Sequence, residues 1–335
     1  MTTSHKPLNA GFTLIEYLVA SGLSMVIMAA TFMILGQAFK VNSSMGDVMA
    51  TQQNVRVAMN TMSRDITMAG TGMPGGGIVV PNGTNSAVLT RPGLGGTLST
   101  DNDVMPILSP GNDEGPTLSS VKTDALSIVS VDQDSPVWQV DTVDSTGTLV
   151  TFVQDIRSGA TQIQPGTLLF FVNANGAVFG FVTDVSKTAS EATFADKDAM
   201  NINQPDAADG NLKSLINSNG TWPPTTATRV NIVSYYISNA VPAHPRLMRS
   251  VNAETPQVTV EDIDNLQFSF DLFDFATNAN TANQATTASP NQIRSVNISI
   301  TGRSPSILQT LKDYYRFGLV SKVNVRNATF RNRYS

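Results

Sequence analysis

The chain has 335 residues, 21 Lys+Arg against 26 Asp+Glu for a net charge of −5, and no cysteine. That length can bury one large core or two smaller ones, while the missing cysteines exclude disulfides, thiolate metal sites and thiol nucleophiles, and two histidines (His5 and His244) leave no basis for histidine catalysis or a multi-histidine metal site. Only 14% of the residues are charged, below the roughly 25% of an average soluble domain; Thr, Ser, Asn and Gly fill the gap, as on a β-rich, loop-rich surface facing the outside of a cell.

The first element is an apolar block. Residues 12–39 read FTLIEYLVASGLSMVIMAATFMILGQAF, with Glu16 as their only charge. As a helix this block reaches about 42 Å, beyond the ~30 Å hydrocarbon core of a bilayer. The preceding MTTSHKPLNAG is polar and carries Lys6, and Lys40 follows the block. A short basic N-terminus favours the cytoplasmic side. A secretory signal peptide has an apolar region of only ~7–15 residues and a small-residue cleavage site. A plain membrane anchor fits the length but leaves Glu16 unexplained, because a carboxylate in a spanning helix costs roughly 2.5–3.5 kcal/mol even on lenient scales.

The run Gly11-Phe12-Thr13-Leu14-Ile15-Glu16 resembles the prepilin signature of type IV pilins and secretion pseudopilins: a short basic leader ending in Gly, then Phe-Thr-Leu-Ile-Glu opening an apolar helix. The resemblance implies that residues 1–11 are a leader, cleaved between Gly11 and Phe12 by the prepilin peptidase, and that the new terminal Phe12 is N-methylated. It also implies that Glu16 pairs with the terminal amine of a neighbouring subunit and sets assembly register. An unpaired charge in such a zone is expensive, so the pair rewards correct docking.

Residues 40–69 continue the helix. Val41, Met45, Val48, Val55, Met59, Met62, Ile66 and Ala69 alternate spacings of four and three, with Gln52 filling the gap. That pattern makes one apolar stripe. A coiled coil would sustain it for longer and with less Met, so the stripe is expected to pack on a globular sheet. Gly70, Gly72, Pro74 and Gly75–Gly77 then end the helix. This glycine-rich stretch lacks the Gly-Lys-Ser/Thr of a phosphate loop.

From residue 70 to 335 the sequence predicts a β-rich head. Strands are expected at Ala125–Val131, Thr148–Gln154, Leu168–Val172, Ala177–Thr183, Val230–Ile237, Leu247–Val251, Leu266–Phe273 and Ile293–Thr301, on the pattern of Leu126/Ile128/Val131 and of Leu266/Phe268/Phe270. Met200–Thr228 and Ala276–Asn291 are expected to be long surface loops. Several head segments are similar to the PilW-like minor pilins: Thr123-Asp124-Ala125-Leu126-Ser127-Ile128, Val233-Ser234-Tyr235-Tyr236-Ile237 followed by Arg246-Leu247-Met248-Arg249, and Val260-Glu261-Asp262-Ile263-Asp264-Asn265-Leu266-Gln267-Phe268. Ile293-Arg294-Ser295-Val296 and the ending Val325-Arg326-Asn327 resemble that family's last strands.

Other sites are weaker. Asp101-Asn102-Asp103 with Asp113-Glu114 supplies oxygen ligands of calcium type, but the ordered twelve-residue loop of a calcium hand is missing and a solvated acidic loop is the better reading. His244 lies in Pro242-Ala243-His244-Pro245 and reads as a turn residue. From Arg303 to Ser335 there are seven Lys/Arg and one Asp, net +6, against −11 for the remainder. Phe317, Phe330 and Tyr334 accompany this charge, a pattern that can bind nucleic acid, yet a charged final strand facing water or an acidic partner is preferred.

The expectation is therefore an α+β fold, with a leader (1–11), a transmembrane or filament-core helix (12–39), its amphipathic continuation (40–69) and a β-rich pilin-like head (70–335). The resemblance implies a non-enzymatic minor pilin without cofactor or metal. Its partners would be other minor pilins and the major pilin through the N-terminal helix, the prepilin peptidase, the inner-membrane assembly platform and lipid, but not nucleic acid. It would be a single-pass inner-membrane protein before assembly and part of an extracellular pilus afterwards, priming assembly or forming the tip in twitching motility. The alternatives are a pseudopilin of a type II secretion system and a tip adhesin acting in cell adhesion through a loop such as Met200–Thr228.

Overall fold

The computed structural model describes residues 11–73, 78–84, 86–309 and 311–328. It is an α+β structure: one long N-terminal helix, α1 (Leu14–Met68), is followed by a β-rich globular domain. No proline interrupts residues 14–68, so the i→i−4 ladder has no missing donor. Gly70 ends the helix at φ +73°, the left-handed conformation that glycine adopts at least cost. A Cβ there would lie 2.8 Å from Ile107 Cγ2, while the Gly70 N–H donates to the Val129 carbonyl at 2.7 Å. Pro74–Gly77, expected to help stop the helix, lie outside the described residues.

The chain forms two compact units that divide between Ala50 and Thr51. In the first, the apolar side chains of α1 are exposed: Phe32, Ile34 and Phe39 are typical. By length and composition α1 is a candidate membrane span.

The second unit begins at Thr51, where burial of the helix begins. Thr51, Val55, Ala58, Met62 and Ile66 are buried at spacings of four and three, the period of one helix face. Val41 and Met45, placed on the same stripe by sequence, are exposed. The Gln52 gap is closed by its neighbour Thr51, and the Gln52 side chain donates to Tyr315 Oη at 3.2 Å.

The strands that carry the domain are β1 (Ala125–Val131), β2 (Trp138–Val143), β3 (Leu149–Phe152), β4 (Leu168–Asn173), β5 (Gly176–Phe181), β6 (Thr225–Ser238), β7 (Arg246–Val251), β8 (Gln257–Glu261), β9 (Ile263–Asp274), β10 (Ala279–Gln284), β11 (Ile293–Leu308) and β12 (Asp313–Asn324). The fourteen residues of β6 are the spine of the larger sheet. Its first half pairs with β2 and β4, and its second half with β1 and β7, all antiparallel. A second antiparallel sheet has the order β10-β9-β11-β12.

Because β6 is long, its residues reach three apolar clusters. Ala227 joins the cluster of Trp138, Phe171 and Phe194; Val230 and Ile232 join that of Ile78, Phe170 and Phe179. Val233, Tyr235 and Ile237 meet the helix face and the second sheet. Each large apolar side chain buried in these clusters contributes roughly 1.5–3 kcal/mol. Helix and second sheet meet closely at Gly302 in β11, where a Cβ would come within 2.6 Å of Val55 Cγ2.

Several expectations change. Met200–Thr228 is not a surface loop: Met200, Ile202, Leu212 and Leu215 are buried, a 3-10 turn spans Leu212–Leu215, and Thr225 already belongs to β6. Its apolar residues are spaced irregularly, so each plugs a cluster without producing a period. Ala276–Asn291 contains β10 and a 3-10 turn at Pro290–Gln292. β10 is polar on both faces because it is an exposed edge. Strands β2, β8 and β12 arise where none was expected, and the ending Val325-Arg326-Asn327 follows the last strand. There Asn327 Nδ2 donates to the Ala69 carbonyl at 2.9 Å and ties the segment to the helix end.

Candidate functional site

The expected processing site lies at the start of α1. Gly11 and Phe12 are outside the helix and exposed, Phe12 to 93%; residues 1–10 of the expected leader lie outside the described residues. Thr13 precedes the first helical residue. Its N–H and its Oγ1 each donate to Glu16 Oε2 at 2.9 Å, and the Glu16 N–H points back to Thr13 Oγ1 at 3.4 Å. This is a capping box, in which a Thr before the helix and a Glu three residues later satisfy each other's orphan donors. Thr13 was missed as a site residue, although its Thr-x-x-Glu spacing is the sequence signature of that box. Glu16 also heads a stripe with Val19, Ala20 and Leu23, at helical spacings of three, four and seven. The carboxylate is thus held by its own turn and sits at the top of an exposed apolar face.

In the domain, the segments singled out by sequence act as clasps. Tyr235 Oη donates to Asp65 Oδ2 of α1 at 2.7 Å, and Arg249 Nε donates to the same oxygen at 3.0 Å. Burial first, and the Asp65 charge second, push the Tyr235 pKa far above its ordinary value. Asp124, just before β1, accepts from the Asp113 N–H at 2.9 Å and the Phe268 N–H of β9 at 2.8 Å. Burial raises its pKa despite those bonds. Asp264 is buried and accepts from Arg316 Nε at 2.8 Å and Arg303 Nη1 at 3.5 Å.

The acidic loop is partly structural. Glu114 faces Arg91 Nε at 2.8 Å, and the Arg91 side chain is completely buried. The same guanidinium donates to the carbonyls of Ser109, Thr97 and Pro110 and to Ser127 Oγ. Burial draws the Arg91 pKa down while Glu114 opposes the shift. Glu114 is therefore the counter-ion of a buried arginine, and the reading of a wholly solvated loop is corrected. Asp101 Oδ2 accepts from the Asn291 N–H. Among the described residues no group of three or more His, Asp or Glu is placed to hold a metal ion.

His244 lies at the turn between β6 and β7 and has a partner that sequence spacing concealed: its Nδ1 is 2.8 Å from Asp262 Oδ1. Arg303 closes the same turn by donating to the carbonyls of Pro242 and Ala243. The basic C-terminal segment meets carboxylates of its own sheet, with Arg303 and Arg316 on Asp264 and Lys322 on Asp271. Phe317 packs against the main core; Phe330, Arg331, Arg333 and Tyr334 lie outside the described residues. Comparison of this chain with protein-family models, with curated proteins and with solved structures finds no match.

Proposed function

We propose that this chain is a non-enzymatic, type IV pilin-like subunit, most similar to PilW-like minor pilins, processed between Gly11 and Phe12. The observation that carries this reading is the juxtaposition at the start of α1. The Gly11–Phe12 bond lies in exposed, non-helical backbone two residues before an apolar helix, as a processing protease requires of a substrate. Glu16 follows at the head of an exposed apolar stripe that only lipid or neighbouring helices could cover. In this reading the helix anchors the precursor in the inner membrane and then enters a filament core. The β-rich domain forms part of a priming or tip complex with other minor pilins.

N-terminal mass spectrometry of the mature protein tests this directly. The expected product begins at Phe12 and carries an N-methyl group. An intact Met1, or a first residue beyond position 30, overturns the reading. Deletion of the gene then separates a pilus from a secretion pseudopilus, since the first predicts lost twitching and the second lost exoprotein release.

A further inference from the structure

Along one face of β6, Ala227, Val233 and Tyr235 are buried in apolar clusters. Alternate strand positions share a face, so Arg229 and Asn231 stand between them on that face. Two polar residues thus interrupt an otherwise apolar spine, while Val230 and Ile232, facing the other way, are buried. The sheet opens at the same place. β4 pairs with β6 only as far as Arg229, and β7 pairs with it only from Val233. The gap between is bridged by Asn252, whose Oδ1 accepts from the Ile232 N–H at 2.8 Å and whose Nδ2 donates to the Val230 carbonyl at 3.2 Å.

The opening is a cleft of about 510 Å³, within the roughly 300–1,000 Å³ of small-ligand sites. Gln162, Gln164 and Thr167 from the loop before β4, Arg229 and Asn231 from β6, and Glu254 after β7 line it. Its backbone is fixed. The Thr167 N–H donates to the Gln164 carbonyl at 3.1 Å, Gly166 to Val182 at 2.8 Å and Glu254 to Val251 at 2.9 Å. The side chains are not: among the described residues, the Gln162, Gln164 and Asn231 amides and the Glu254 carboxylate have no hydrogen-bond partner. Elsewhere in the domain Asn173, Asn203, Gln204 and Asn211 donate their amides to backbone carbonyls. Arg229 is held by the Gln162 carbonyl at 3.1 Å and faces Asp132 at 3.7 Å. Its charge is therefore answered, and with Glu254 in the cleft the balance disfavours an anion. Three amides, each a donor and an acceptor, match a surface of neutral hydroxyls, which also donate and accept.

We infer that this cleft binds a neutral saccharide, whose hydroxyls bond to Asn231 of β6, to Gln162 and Gln164 on one side and to Glu254 on the other. The site belongs to the domain that begins at Thr51 and is independent of processing at Gly11. The test uses the full chain in a zwitterionic detergent without a sugar headgroup, passed over an immobilised panel of neutral, sialylated and sulfated oligosaccharides. Neutral members should be retained and acidic ones should not. For the neutral sugar bound most tightly, Asn231→Ala and Gln164→Ala should each weaken binding about three- to tenfold, the worth of one hydrogen bond. Gln284→Ala, on β10 of the second sheet, should leave the affinity unchanged. Near-ultraviolet circular dichroism checks that each variant is folded, and the exposed Gln164 keeps the test open if Asn231→Ala is not. Retention of no neutral sugar, retention of acidic members alone, or an affinity indifferent to both substitutions overturns the inference. None of these outcomes bears on N-terminal processing, which mass spectrometry reads separately.

Discussion

Tyr235 Oη lies 2.7 Å from Asp65 Oδ2, joining the spine strand of the larger sheet to the buried face of α1. Tyr235 is fully buried, so this phenol must stay neutral in order to donate. The carboxylate it serves is shared with Arg249. A helix that packs by apolar contacts alone could slide by a turn; a shared polar contact favours one register.

The first prediction follows from the sign of that shift. The Tyr235 pKa is raised above the ordinary 10.0 by burial and then by Asp65. The native state therefore keeps a proton that the unfolded chain releases above pH 10. The contribution to stability is complete below the unfolded value and is lost as pH rises past it, at about 1.4 kcal/mol per pH unit for one proton. Urea unfolding followed from pH 8 to 11 should show a steeper alkaline loss for the wild-type chain than for Tyr235→Phe. At pH 7 the same variant should be less stable by about 2 kcal/mol, the value of a hydrogen bond to a charged group. Equal alkaline slopes for the two proteins would remove Tyr235 from the account.

A second prediction concerns the closest approach of helix and sheet. The ideal Cβ of Gly302 would lie 2.6 Å from Val55 Cγ2, and Val55 is stiff about χ1. Gly302→Ala should therefore push the helix off β11 and cost about 1–3 kcal/mol, the usual range for overpacking. Val55→Ala should cost stability by leaving a cavity, but the double variant should be more stable than the sum of the two losses requires. A thermodynamic cycle from denaturant unfolding reads this coupling. Strict additivity would mean that the two sites do not touch.

What the sequence made legible, and what it hid, follows from where each residue's partners lie. Ala125–Val131 has the bounds its apolar run suggested, because its pairing and its pattern agree. The first five residues of β6, Thr-Thr-Ala-Thr-Arg, carry no apolar alternation; they are a strand because two neighbours supply their backbone bonds. β10 is hidden for the same reason, being defined wholly by pairing with β9. At the helix start the motif was visible, and so was the spacing of its cap, but the bond between Thr13 and Glu16 depends on where the first turn begins. Asp124, Asp264 and His244 were visible only as residues in motifs. Their partners Phe268, Arg316 and Asp262 lie on other segments, and no local pattern encodes those distances.

Arg91 shows the limit most sharply, since nothing in Thr90-Arg91-Pro92 marks it as buried, and it yields the last prediction. Its guanidinium meets Glu114 through Nε and Nη2, at 2.8 and 3.4 Å, and donates to three carbonyls and a serine in addition. An ammonium in that place presents a point charge with three donors and no planar fork. Arg91→Lys should thus leave some of these acceptors unpaired and destabilise the domain by about 1–3 kcal/mol, the cost of a buried polar group left without its partner. Removing the charge with Arg91→Met leaves Glu114 without its cation, but Glu114 keeps 26% exposure and can be solvated. The double variant Arg91→Met/Glu114→Gln should recover part of the loss. Thermal unfolding of the four proteins orders these outcomes. A lysine variant as stable as the wild type would show that charge alone, rather than the directed fork, holds the segment from residue 91 to 114 against β1.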